Sequence, residues 1–522
     1  MLEKIENLDV DLLDLPPSCI KFWPSNHSWF IVGTYELDKS EDLARTGTTR
    51  SRNSDIDARP FTPREGNVSS GPLSFHHYSD PNLCQSADEC EHSDYPGEDG
   101  ENQESEDQTQ PSTLQERNGS LMLYNLQNGT LKVHQSRPYP YGAIYDLHFC
   151  PTDLDLFAVS SSTGRISLFK MLDNGDPSPD IVHVKTWKVF DNSVLITYFA
   201  WCPLPQEEGT KSLVVAASTG VVQLITITGG LKPDSSIEDL SLRKEDPALS
   251  LHSLKVPYVG EEPQYAYCCV WASAPGGLSS DFSAVFSGGD DSKLRTSILG
   301  TSMEANDDFS YNLPTSFSGH DAAVIAILPL PCADKKWILL TGSYDNKVRI
   351  LTMDWDSQTK QKSIEISAIL DVGGGAYRLE FLHDYTSQPV QNINPHFQVL
   401  ATCMEVGVKI LDIQRKEDVW SMNVIAHADI EAPKSSTPSN TAQLCYASAV
   451  QQNVGNDDVI FVSSCFAKRQ IATLTAVDYF AADLRRTYKI LGSQGFITYL
   501  PNGGYFLNPA TVRDPPRFNP QG

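Results

Sequence analysis

The sequence predicts an all-β chain folded as a ring of seven four-stranded sheets, a β-propeller. Three observations carry that expectation. The stretch Val285 to Asp354 states one pattern twice. A β-rich strand runs into a tight polar turn (Gly289-Asp290-Asp291, then Ser343-Tyr344-Asp345) and out into a strand with a basic residue among aliphatics (Leu294-Arg295, then Val348-Arg349-Ile350). Two earlier segments share an order of strand, Pro stop, strand, Ser-Thr-Gly turn, strand: 144–169 with Pro151 and Ser162-Thr163-Gly164, and 196–227 with Pro203 and Ser218-Thr219-Gly220. Finally, 522 residues at 40% apolar content are long for one compact core unless the domain is itself repetitive.

Taken in order, residues 1–37 open the propeller. Leu8 to Leu13 alternates weakly and is expected to supply the outer strand of the last blade, tying the chain ends together; without it the ring keeps an open edge. Strand-like runs follow at Cys19 to Trp23, stopped by Pro24, and at Trp29 to Leu37. Residues 38–118 change composition abruptly to Ser, Thr, Pro, Gly, Asn, Asp and Glu, with no Lys or Arg between Arg64 and Arg117. Such a stretch buries too little apolar area to offset an ordering entropy of about 1–2 kcal/mol per residue. It is expected to be a disordered insertion in the first blade, acidic from Asp80 to Asp107, serving as a solvated loop or as a docking segment. Residues 119–486 carry the remaining strands, with equivalent turns near Gly119, Gly164, Gly220, Asp291, Asp345, Gly407 and Ala467; residues 487–522 form a C-terminal extension.

The net charge of −26 argues against a nucleic-acid surface, which needs clustered Lys and Arg to displace counterions from phosphates. A basic partner is easier to accept. The opening MLEKIENLDVDLLDLPP lacks a signal-peptide layout, and no window reaches the roughly 18 apolar residues of a membrane span. A cytoplasmic monomer is the expectation. The 11 cysteines lie mostly in strand-like runs without zinc spacing, so neither disulfides nor a metal is expected, and no cofactor.

Gly319-His320, followed by the Gly342 to Asp345 turn and the strand at Val348 to Leu351, resembles a WD repeat. In such repeats the His and the turn Asp form a buried set with a strand hydroxyl, here Thr341 or Ser343, and a third-strand Trp. Ser297 and Leu351 stand where that Trp is expected. The ordered run SGGDDSKLR, GHDAAV, TGSYDNKVRIL, GGGAYRLEF (Gly373 to Phe381) and LATCMEVGVKILDI (Leu400 to Ile413), with AVSSSTGRISLF earlier, is narrower: it resembles the diphthine methyl ester hydrolase family, the WD-repeat proteins of diphthamide synthesis. The resemblance covers about residues 118–475. It implies hydrolysis of a methyl ester on the modified histidine of translation elongation factor 2, giving diphthine for amidation. That substrate carries a trimethylammonium group, which suits an acidic or aromatic site.

Ester hydrolysis needs a nucleophile or an activated water, and donors for the oxyanion. No GxSxG elbow is present, as an all-β fold requires. Turns and blade-leading loops gather at one face of a propeller, which brings forward Asp290, Asp291, His320, Tyr344, Asp345, Gly373-Gly374-Gly375, Glu405 and His427. His427 and His320 are the candidate catalytic residues, His427 because an imidazole titrates near neutrality and the residue is read as lying in a long loop. Asp290, Asp291, Tyr344, Asp345, Gly374, Gly375, Arg378 and Glu405 are the candidate substrate contacts. Asp290 and Glu405 suit the cation, the glycines suit an oxyanion through backbone N–H groups, and Arg378 steadies that loop or pairs with an acid. The structural readings stand beside these: Asp291, Asp345 and His320 as members of WD turns, the glycines as a tight lead into the sixth blade, Arg378 as a core ion-pair partner. Ser463, Ser464 and Cys465 are a nucleophile or, in a β run, core. A non-catalytic WD-repeat scaffold is the rival to an esterase, since fold never fixes function.

Overall fold

The computed structural model describes residues 4–38, 116–173, 178–204, 206–229, 240–244, 252–254, 264–275, 282–300, 315–331, 335–355, 362–383, 395–428, 444–451, 459–477, 497–499 and 505–507. Every regular element among them is a strand, numbered here in chain order. The first blade pairs β2 (Pro17–Phe22), β3 (Trp29–Thr34), β5 (Glu116–Gln127) and β6 (Thr130–Tyr139), and β5 is also joined by the short β4 (Glu36–Asp38). The second is β7 (Ile144–Cys150) to β10 (Asp180–Lys188), through β8 (Asp153–Ser161) and β9 (Arg165–Leu172). The third holds β11 (Ile196–Trp201), β12 (Thr210–Ala217), β13 (Val221–Thr228) and β14 (Ser241–Lys244), with β15 (His252–Ser253) also on β13. The fourth runs β16 (Ala266–Ser273), β17 (Phe282–Gly289), β18 (Lys293–Gly300), β19 (Thr315–Ser318). The fifth runs β20 (Val324–Leu330), β21 (Trp337–Ser343), β22 (Lys347–Trp355), β23 (Lys362–Asp371). The sixth runs β24 (Arg378–Phe381), β25 (His396–Thr402), β26 (Val408–Lys416), β27 (Val419–Ala428). The seventh has β28 (Ser448–Gln451), β29 (Val459–Cys465) and β30 (Gln470–Val477), and its outermost strand is β1 (Lys4–Leu12). A separate hairpin pairs β31 (Ile497–Tyr499) with β32 (Tyr505–Leu507).

A four-stranded sheet cannot hide both its faces alone, and the ring solves this by stacking. Apolar side chains fill each interface between neighbouring blades, including the one between the seventh and the first, where Ile20, Phe30 and Tyr124 meet Ala449, Val462 and Ile471. The edge of β30 is covered by β1 in antiparallel register from Lys4 opposite Val477 to Leu12 opposite Gln470. Two acids of β1 fasten it to the first blade as well: Asp9 Oδ2 accepts from Leu131 N at 2.8 Å, and Asp11 Oδ2 from the Tyr124 hydroxyl at 2.9 Å.

The expected turns fall between second and third strands of the blades, except that Gly119 lies inside β5, because the acidic segment occupies the corresponding turn of the first blade. Residues 39–115 of that segment lie outside the described residues, as do 478–486 and most of the extension at 487–522. All described cysteines are buried, and no disulfide joins them. Among the described residues no cluster of metal-ligating side chains occurs, and no helix is long and apolar enough to cross a membrane.

The inner strands line the channel, and five of them share one irregularity. The register slips by one residue at Ser18, Tyr145, Thr197, Tyr267 and Ile325, each one position past the start of the inner pairing. A bulge of this kind re-aims the extra side chain. The hydroxyls of Ser18 and Thr197 donate to the neighbouring inner strand, to Ile144 O and Ala266 O, while Tyr145 and Tyr267 remain half-buried at one mouth of the channel. The first residue paired after each bulge, Cys19, Asp146, Tyr198, Cys268 or Ala326, sits opposite a small one: Gly33, Ser160, Ala216, Gly288 or Gly342.

Candidate active site

Those post-bulge residues, together with Arg378 of β24, form one layer inside the channel, around a cavity of about 40 Å³, room for two or three waters. Asp146 is 1% exposed. Its Oδ1 accepts from Leu147 N at 2.9 Å; its Oδ2 bonds His148 Nε2 at 3.0 Å and lies 3.3 Å from Arg378 Nη2. Burial alone would raise its pKa, but the charges of His148 and Arg378 and the hydrogen bonds outweigh that and hold the carboxyl at about 2. Burial by itself disfavours the Arg378 cation; Asp146 more than restores it. The guanidinium is clamped between two rings, 4.7 Å from Tyr377 and 4.9 Å from Tyr198, and its Nη2 makes no aligned hydrogen bond. His148 packs edge-on against Tyr198 and Phe199 at 5.1 Å, which fixes the ring plane. The Asp146 carboxylate only accepts, so Nε2 supplies the hydrogen of that bond and Nδ1 is the ring nitrogen left to take up a proton. The thiols beside this set are poor nucleophiles, since burial pushes Cys19 and Cys268 up to about 12. One layer further along the channel, Lys21 and Glu380 pair at 3.4 Å.

Above this layer the mouth is aromatic. Tyr35 meets Tyr145 at 5.7 Å and Phe466 at 6.3 Å; Tyr267 meets Tyr344 at 5.6 Å; Tyr446 meets Tyr377 at 4.9 Å and Phe466 at 5.2 Å. Burial raises Tyr145 well above its ordinary pKa, and the nearby phenols of Tyr377, Tyr35, Tyr267 and Tyr344 add to the effect, so rings from five blades converge on one opening.

The residues singled out from sequence divide into three groups. Asp290, Tyr344, Arg378 and Glu405 gather here: Asp290 beside Tyr265 and Tyr267, Tyr344 in the mouth, Arg378 beneath it, and Glu405 exposed on the turn after β25, close to Tyr446. Gly374 and Gly375 are buried at the lead into the sixth blade, where a Cβ would come within 2.8 Å of Cys403 O at one and 2.9 Å of Met404 Sδ at the other; they let the loop pass beneath Tyr344. A second group stays within the blades. Asp291 pairs with Arg295, Asp345 with Arg349 at 2.7 Å, and His320 Nε2 with Thr341 Oγ1 at 3.0 Å, burial and Arg349 lowering that imidazole to about 4. The third is His427, which is not in a loop: it is exposed on the outer strand β27, opposite Lys409, because the hairpin after β26 runs to Ala428. Ser463 and Cys465 are buried in β29.

Sequence reading passed over Asp146, His148, Tyr198 and the further WD-type histidine, His252. Its Nδ1 bonds Ser287 Oγ at 2.6 Å and its Nε2 bonds Ser297 Oγ at 3.1 Å. Ser297 therefore completes a hydrogen-bonded set where a Trp was expected, and Leu351 fills the other Trp position as fully buried core.

A Saccharomyces cerevisiae protein named diphthine methyltransferase is 26% identical to this chain over 324 residues, covering 58% of the chain and 79% of that protein. The chain matches no family profile. A chain of the solved structure "Crystal Structure of Mitotic Checkpoint Complex" aligns at 12% identity with a TM-score of 0.39, over 69% of this chain and 82% of that one. At that score it adds nothing to the strand pairing, which by itself defines the propeller.

Proposed function

We propose that this protein acts in diphthamide synthesis as an esterase, removing the methyl group from methylated diphthine on translation elongation factor 2 and leaving the carboxylate that is later amidated. The pathway rests on the yeast relative's name and on the ordered run of motifs from Ser287 to Ile413. The reaction type rests on one observation: a buried carboxylate, Asp146, orients a part-exposed imidazole, His148, beside a guanidinium with an unsatisfied donor, Arg378.

In this reading His148 Nδ1 takes a proton from a water, whose oxygen attacks the ester carbonyl. The tetrahedral oxyanion accepts from Arg378 Nη2. Collapse breaks the bond from carbonyl carbon to methoxy oxygen, and methanol leaves with the proton returned by His148. Asp146 stays ionised and stabilises the imidazolium between the two transfers. No cofactor enters these steps.

The relative's name favours a second reading, methyl transfer. Purified protein incubated with methyl-esterified elongation factor 2 distinguishes them. Release of methanol with loss of one methylene from the factor's mass supports hydrolysis. A gain of one methylene from an S-adenosyl donor on the unesterified factor supports transfer. Binding without either change supports a scaffold.

A further inference from the structure

The mouth holds a carboxylate that no cation among the described residues pairs with. Asp291 and Asp345, its neighbours on equivalent turns, each have an arginine four residues on. Asp290 makes no ion pair among the described residues. Its Oδ2 accepts from Tyr265 N at 2.7 Å, and the Tyr267 hydroxyl faces it as well. Around it stand three phenol rings. Tyr265 lies nearly parallel to Tyr267 at 5.9 Å, and Tyr344 stands at 85° to Tyr267, two walls of a corner. All three keep part of their surface exposed.

We propose that Tyr265, Tyr267, Tyr344 and Asp290 form a cage for a quaternary ammonium group, the part of the substrate that this protein recognises before the reacting group reaches the channel. A cation of this kind donates no hydrogen bond, so it needs ring faces at perpendicular angles and one unpaired negative charge rather than a set of acceptors. A primary ammonium would need acceptors for three donors, and the corner offers it one carboxylate. Of the remaining mouth tyrosines, Tyr35 is approached by Arg117 and Tyr377 already covers Arg378, whose charge is paired with Asp146. Gly375 is a positioning residue for the cage: a Cβ there would reach within 3.0 Å of the Tyr344 ring and push that wall aside.

The inference deepens the esterase reading and rests on it for one point, that the ammonium and the ester belong to one molecule. The test separates the two. Tetramethylammonium is titrated into the full-length protein and its binding followed by calorimetry and by broadening of its methyl proton signal, with ammonium as the comparison ion. Asp290→Asn keeps an oxygen for Tyr265 N while removing the charge. It is expected to weaken tetramethylammonium binding about tenfold, as is Tyr267→Ala, with unchanged thermal midpoint for the former. In turnover of the modified factor, Asp290→Asn should raise KM about tenfold and leave kcat near the wild-type value. Gly375→Ala should shift tetramethylammonium binding in the same direction. Equal binding of tetramethylammonium by wild type, Asp290→Asn and Tyr267→Ala, or binding of ammonium as tightly, overturns the cage. Absence of methanol release by the wild type, with Asp290-dependent binding of tetramethylammonium intact, overturns the esterase and leaves the cage standing.

Discussion

The chemistry proposed here depends on which imidazole is which. His148 is held at the channel by Asp146, whereas His252 and His320 are buried within the blades and bonded to hydroxyls. Substituting His148→Ala should lower kcat by about 10²–10⁴-fold, while His427→Ala, on the outer strand of the sixth blade, should leave turnover within twofold; steady-state methanol release measures both. The buried histidines have a different signature. Burial and nearby cations hold His252 at about 3 and His320 at about 4, below the 6.5 of an unfolded histidine. Between those values the unfolded chain binds more protons than the native one, so stability is full above pH 6.5 and falls as the pH drops toward 4. Asp146, held at about 2, extends the loss below pH 3.8 by the same rule. Thermal midpoints recorded from pH 7 to pH 4 should fall, and the slope should be shallower in His252→Asn, which has no proton to gain. Arg378 was legible from sequence because it follows a glycine run. Asp146 and His148 were not, because they lie in the inner strand IYDLHFC and not on a turn. Two polar side chains two apart in a strand buried on both sides were the available signal.

Strands repeat a rule that the sequence does display. The second strand of each blade ends in small residues, as in IVGT at 31–34, VAAS at 215–218, FSGG at 286–289 and LTGS at 340–343, where the neighbouring inner strand passes too close for bulk. At Gly342 a Cβ would be driven onto Ala376. The bulges of the inner strands carry no such mark, since an extra residue in a short apolar run leaves its alternation readable either way. The two positions that lack the expected Trp also behave as distinct elements. Leu351 packs with Ala284, Phe286 and Trp337 between the fourth and fifth blades, so Leu351→Trp should overfill that core and destabilise by about 1–3 kcal/mol in urea unfolding. Ser297→Ala should instead leave His252 Nε2 unsatisfied, at a cost of about 1–3 kcal/mol.

At the scale of the whole molecule, seven blades and their order were legible because each repeats strand, turn and strand, and because a ring is the arrangement that buries both faces of every sheet. How the mouth is assembled was not, since its rings come from residues as far apart as Tyr35 and Phe466 and converge only after closure. The β4–β5 pairing from Glu36 opposite Asn118 to Asp38 opposite Glu116 brings the two flanks of the acidic segment side by side. Excision of 39–115 with a short linker should therefore leave thermal stability and methanol release within twofold of the intact chain.

The pairing of β1 with β30 also sets the timing of folding. Lys4–Leu12 has no edge to join until Gln470–Val477 has been synthesised, because its partner belongs to the seventh blade. Until then the interfaces of the middle blades can assemble from neighbours in sequence, but the first blade and the seventh each lack a wall. Asp9 and Asp11 meanwhile put two charges on the unpaired strand, which keep it in water rather than on the edge of another molecule.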